Sequence, residues 1–149
     1  MKKIFFFSKI IIIYLIVTSF SASAKSDFYE KGKNFFDKKE FEKSKISFER
    51  DLVFNPKSEM SYLYLAKIFI NQEEDEEAEM KLNNVLILNP KNDEAIYLLA
   101  LIKIKQSDYE EAKTLIIKFD LVCDLFCAKK NEIQSKLNKI IPDNEKSNN

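Results

Sequence analysis

The feature that most constrains this chain is a repeat of 34 residues. Pro56 and Pro90 are 34 apart, each within the same local string, Leu52-Val53-Phe54-Asn55-Pro56-Lys57 and Leu86-Ile87-Leu88-Asn89-Pro90-Lys91. The same offset relates Phe28, Tyr62 and Ile96; Gly32, Ala66 and Ala100; Phe35 and Phe69; Ser44, Ala78 and Ala112; and Phe48, Leu82 and Ile116. Large residues match large and small match small, so one packing unit is used three times. Within a unit, apolar residues recur every three to four positions, the spacing that gathers one stripe on one face of a helix. Asn55-Pro56 and Asn89-Pro90 end the second stripe, because proline has no amide to donate and biases its predecessor away from helix. The pattern predicts helices near 26–37, 41–54, 59–71, 75–88, 93–105 and 109–122. A single pair of such helices cannot bury its own apolar face, so stacked pairs must supply the core.

Composition agrees. The 149 residues include one Gly, three Pro, no His and no Trp. So little turn material argues against turn-rich β architectures and for an all-α fold. The missing histidine removes the commonest general base and the commonest metal ligand, and one glycine cannot build a phosphate-cradling loop. These absences point to a chain with no cofactor, no bound metal and no catalytic residues.

With its unit length, small residues and late prolines, the sequence resembles the tetratricopeptide repeat (TPR) family from Lys25 to about Phe126. The resemblance implies three tandem helix pairs in a short right-handed solenoid, with repeats near 25–58, 59–92 and 93–126. A capping helix over 127–141 completes the domain, its stripe formed by Ile133, Leu137, Ile140 and Ile141, with Lys129, Lys130, Glu132 and Lys136 facing water. It also implies a non-catalytic module that binds a protein or peptide in a groove lined by the first helix of each unit. Taken in phase, that groove is Tyr29, Lys33 and Phe36; Met60, Leu63, Lys67 and Ile70; then Tyr97, Leu101, Ile104 and Lys105. Two other readings stay open: the same residues pack within the chain, or they carry self-association in a structural or assembly subunit of an envelope complex. The sequence departs from the family pattern at Ser44 and Asp51, at Asp75, and at Lys103, where an aromatic is usual.

Residues 1–24 read as an address rather than as part of the fold. Lys2 and Lys3 precede an apolar run from Ile10 to Val17, and Ser21-Ala22-Ser23-Ala24 supplies a small-residue cleavage site. The expectation is export to a bacterial periplasm or beyond, after cleavage following Ala24, with an uncleaved inner-membrane anchor as the alternative. Cleavage removes Lys2, Lys3 and Lys9, leaving 21 basic against 24 acidic residues. That balance gives no electrostatic case for nucleic acid, and after cleavage none for a membrane partner. Residues 142–149 read as a polar, disordered tail.

Cys123 and Cys127 are the only cysteines. In an exported chain an even count points to a disulfide, which here requires the helix to break between them. Free buried thiols, or redox and metal chemistry, are the alternatives; a bridge closing so short a loop contributes roughly 2 kcal/mol or less. The acidic run Glu73 to Glu77 reads as a solvated helix start, and Ser107-Asp108 as a cap for the sixth helix.

Overall fold

The computed structural model describes residues 27–140. The leader 1–24, Ile141 and the tail 142–149 lie outside the described residues. Among these, seven α-helices follow one another: α1 Asp27–Asp37, α2 Phe41–Phe54, α3 Glu59–Asn71, α4 Asp75–Leu88, α5 Asp93–Lys105, α6 Tyr109–Val122 and, after a 3-10 turn at Cys127–Lys129, α7 Lys130–Ile140. The six repeat helices coincide with the segments read from the sequence. They pack as three antiparallel pairs, α1 with α2, α3 with α4 and α5 with α6, and α7 closes the end against α5 and α6.

The 34-residue period is written into the backbone as well as the side chains. Lys39, Glu73 and Ser107, each 34 apart, are the three non-glycine residues with positive φ among the described residues, at 59°, 61° and 65°. Each sits at the turn inside a pair. Glu40 N–H donates to the Phe35 carbonyl, Glu74 N–H to Phe69 and Asp108 N–H to Lys103, all at 2.9 Å. Lys39, Glu73 and Ser107 themselves donate to Phe36, Ile70 and Ile104. This double bond is the Schellman closure, which satisfies the last carbonyls of a helix by placing one residue in the left-handed region. Asp108 also caps α6, accepting from Glu111 N–H at 3.2 Å.

Where the repeat varies, neighbours compensate. Ala66 and Ala100 share their units with Leu82 and Ile116, but Gly32 lies under the larger Phe48 ring, where a Cβ would come within 2.8 Å of Phe48 Cδ1. Ser44 takes a position otherwise held by Ala and turns its hydroxyl to the Gly32 carbonyl at 2.8 Å. Asp51 is buried and accepts from Ser61 Oγ. Lys103 is buried too, its side chain 9% exposed, and its ammonium pairs with Glu79 at 2.5 Å and Glu111 at 3.2 Å. Burial disfavours that charge, yet the two carboxylates outweigh it and hold the Lys103 pKa above the usual lysine value. The acidic run is correspondingly less solvated than its composition suggests, since Asp75 pairs with Lys105 at 2.6 Å.

The capping helix starts in repeat phase. Cys127, which opens the 3-10 turn before α7, stands 34 residues after Asp93, the first residue of α5, so the terminal segment takes the place of a fourth first helix, and no partner helix follows it among the described residues. Ile133 and Leu137 are buried, but Ile140 is 44% exposed and so lies outside the stripe assigned to it. Glu132 also departs from its expected solvated role: Tyr97 Oη donates to it at 3.0 Å, and Lys129 Nζ lies 2.8 Å from its other oxygen. Burial first, then the Glu132 hydrogen bond, pushes the Tyr97 phenol up to about 12. Lys129, then Tyr97, holds Glu132 down to about 2.

Candidate functional site

The first helices α1, α3 and α5 present their exposed sides in sequence, and the groove they form has two unlike halves. At its amino-terminal half the floor is aromatic. Phe36 meets Tyr64 edge-on with ring centroids 5.0 Å apart, Tyr29 meets the same ring at 6.2 Å, and Tyr64 stacks on the buried Phe48 at 5.0 Å. Tyr29, Phe36 and Tyr64 are each half-buried, leaving part of every ring open. Partial burial, with lesser contributions from nearby carboxylates and phenols, raises the pKa of both phenols and keeps them neutral at physiological pH. Lys67 lies 5.0 Å over Tyr64 and pairs with Glu94 of α5 at 2.5 Å. Its charge is therefore already balanced by the fold. Lys33 is exposed and forms no ion pair among the described residues.

The carboxyl-terminal half is aliphatic and narrow. Ile70, Asp75, Leu98, Leu101, Ile102 and Lys105 line a cleft of about 120 Å³. The Lys105–Asp75 pair joins two residues of that lining. Beyond it, α7 covers Tyr97, whose ring lies 6.1 Å from both Phe119 and Phe126.

The positions assigned from the sequence divide accordingly. Lys33 and Met60 are exposed; Tyr29, Phe36, Lys67, Ile70 and Leu101 are half-buried along the groove. Leu63, Tyr97 and Ile104 are buried and belong to the core. Tyr29, Leu63 and Tyr97 occupy one repeat position, and side chains there turn into the seam with the following unit. Tyr29 reaches Tyr64, and Tyr97 reaches Phe126 and Glu132. One residue later in the repeat, Glu30 is exposed and Tyr64 and Leu98 are half-buried, none of which the sequence pattern singled out. In the second and third units an apolar residue at both of two adjacent helical positions was the available signal, and it does not say which of the two a neighbouring unit will cover.

Cys123 and Cys127 are joined at the end of this half, with Cα atoms 5.1 Å apart and the helix broken between them. Asp93 braces the same loop, accepting from Asp124 N–H and Phe126 N–H, each at 2.8 Å. Burial would raise the Asp93 pKa, but these amide bonds together draw it below the usual aspartate value. What the groove as a whole offers is aromatic faces, aliphatic side chains and lysine ammonium groups.

No family model matches the chain, and no curated protein does. Among solved structures it is similar to the TPR domain of Arabidopsis OM64, with a TM-score of 0.70 at 18% identity over 76% of this chain and 93% of that one. It is also similar to the type III secretion chaperone SycD of Yersinia enterocolitica in complex with a peptide of the translocator YopD, with a TM-score of 0.70 at 14% identity over 78% and 95% of the two chains. The TPR2B domain of yeast Sti1 in its complex with pHsp70 gives 0.68 at 14% identity over 76% and 94%. The fold is thus that of TPR domains, three helix pairs with a terminal helix.

Proposed function

We propose that the chain is a non-catalytic protein-binding module that takes an extended peptide or a helix of a partner protein along α1, α3 and α5. The observation that carries this reading is the half-open aromatic floor of Tyr29, Phe36 and Tyr64 beside the unpaired Lys33. Rings left partly wet offer apolar area to a ligand, and an exposed ammonium beside them favours a ligand with a carboxylate. The peptide complexes of SycD and Sti1, on the same fold, are in keeping with it. The groove is short, because α7 occupies its last segment, so the ligand spans α1 to α5 and stops at the Tyr97–Glu132 contact.

The proposal includes export. The leader 1–24, with its small-residue site ending at Ala24, and the Cys123–Cys127 bridge both suit an oxidising compartment outside the cytoplasm. Mass spectrometry of the chain from a bacterial envelope fraction should then find a mature amino terminus at Lys25.

The groove is tested with a photo-crosslinking residue placed at Lys33 or at Tyr64 of the full chain, and at Glu49 of α2 as the off-groove control. A discrete adduct from the first two and none from Glu49 supports the reading. The same adducts from all three positions, or none at all, would defeat it. An adduct at twice the chain mass would identify a second copy as the occupant and favour a self-associating assembly subunit instead.

A further inference from the structure

The junctions after the first and second units are closed by proline. Pro56 and Pro90 follow the last turns of α2 and α4, and the position 34 residues further on is Asp124. Nothing in the local sequence takes over the stop, since 109–140 contains neither Gly nor Pro. Yet α6 ends where the repeat requires. Cys123 takes φ −59° and ψ 138°, an extended backbone of the kind a residue before proline adopts. What stands in the place of the proline is the Cys123–Cys127 bridge.

The two helices on either side of it have the pattern of one helix interrupted. Phe119, Val122, Phe126, Ile133, Leu137 and Ile140 fall within about 60° of one another at about 100° per residue, so a single apolar stripe runs through the break without losing phase. Ile140, 44% exposed in the seated α7, belongs to that stripe. The break leaves the Asp124 and Phe126 amides without helical acceptors, and Asp93 takes both at 2.8 Å. In an unbroken helix the carbonyls of Asp120 and Val122 would receive them, so closing the gap leaves neither amide orphaned. The seat of α7 is slight by comparison. The helix has 11 residues, too few to hold alone, and two of its side chains, Ile133 and Leu137, are buried. The bridge is also within reach of solvent, because Cys127 is exposed while Cys123 is half-buried.

We infer that the Cys123–Cys127 bridge is a reversible helix breaker: oxidised, it ends α6 and seats α7; reduced, it lets α6 run on through 123–129 into α7 and draws the stripe off the third unit. The reductant is a dithiol. One of its thiolates attacks the Cys127 sulfur, the S–S bond breaks, and Cys123 leaves as a thiolate. The second thiol of the reductant then displaces Cys127. The reductant leaves as a disulfide, two electrons poorer, and its two protons end on the two cysteines. Opening so short a loop shifts the balance between the two arrangements by at most roughly thirtyfold. The inference does not rest on the groove reading, and neither fails with the other.

NMR of the isotope-labelled full chain tests it, comparing the oxidised protein, the protein reduced with dithiothreitol, and the variant Cys123→Ser, Cys127→Ser. In the last two, the Cα shifts of 123–129 should move to helical values and amide exchange in α7 should rise about tenfold, while α1 to α4 stay as they were. Asp124→Pro restores the stop used by the other units, at the loss of one amide bond to Asp93, and should keep α7 seated in both redox states. Reduction that leaves 123–129 non-helical, whether α7 stays protected or simply unfolds, would overturn the inference. So would an Asp124→Pro chain that answers reduction as the parent does.

Discussion

The seam between the first and second units and the seam between the second and third are built on one backbone and closed by different chemistry. At the first, Lys45 of α2 lies 4.6 Å over the Phe69 ring of α3. One repeat later the equivalent positions hold Glu79 and Lys103, and the contact is an ion pair at 2.5 Å. The first seam adds Phe48 and Tyr64 stacked at 5.0 Å; beyond both seams, the contact of the third unit with α7 is a phenol–carboxylate bond between Tyr97 and Glu132. Geometry is thus the conserved quantity along the array, and the interaction that fills it is exchangeable. A seam of stacked rings and one ammonium over a ring answers weakly to pH and salt, whereas an ionic one answers to both.

The comparison breaks most visibly at the aromatic seam. Phe48→Ala should cost about 3–5 kcal/mol, because a fully buried ring leaves a cavity; denaturant unfolding of the oxidised chain measures it. Gly32→Ala should cost about 1–3 kcal/mol by overpacking against that ring. In the Phe48→Leu background the same change should become nearly neutral, since the other units pair Ala with Leu or Ile. A full cost retained in that background would show that the clash is with something else. At the ionic seam, Lys103→Met alone leaves Glu79 and Glu111 without their cation, whereas the paired change Lys103→Met, Glu79→Leu should cost less than about 1 kcal/mol or stabilise, as replacing a buried ion pair by apolar side chains of similar volume often does. A loss as large as that of Phe48→Ala would mean that the ion pair, not the space it fills, closes this seam.

The pH dependence separates the two ends further. Glu132 has its folded pKa held down to about 2, so its contribution is present above the unfolded carboxylate value near 4.5 and is lost as pH falls toward 2. Tyr97 is raised to about 12, so its contribution is present below the unfolded value near 10 and is lost as pH climbs to 12. Amide exchange should therefore find α7 opening first at both extremes while α1 to α3 stay protected. Simultaneous loss of protection along the whole chain would contradict it. The smallest effect is in the turns: Glu73→Gly should stabilise by up to about 1 kcal/mol, because glycine accepts positive φ without a Cβ penalty. An unchanged melting point would show that the glutamate side chain compensates.

Most of the fold was legible in the sequence because a 34-residue period constrains every helix three times over. Asn55-Pro56 and Asn89-Pro90 mark the ends of α2 and α4, and α6 ends in phase although Cys123-Asp124 replaces that pair. Along the groove the sequence pattern singles out Leu63, which is buried, and passes over the half-buried Tyr64 beside it. Leu63 and Tyr64 are both apolar neighbours on α3, and the choice between them depends on which side the following unit covers, a fact of packing rather than of periodicity. Lys103 stood out as a departure, but its partner Glu79 is 24 residues away and nothing local joins them. Glu132 was read as solvated for the same reason, since Tyr97 is 35 residues before it.

The outer face of α7 has one more consequence. A stack of identical units is a crystal in one dimension, and each finished layer is a template for the next. Here the last layer among the described residues is a single helix, α7. Ile133 and Leu137 complete the contact beneath, while Gln134, Lys136, Asn138 and Lys139 are turned outward. A polar outer face on the terminal element is what keeps such a stack soluble. A further layer of the same kind would meet the right curvature and the wrong chemistry, much as a growing polymer meets a capped end.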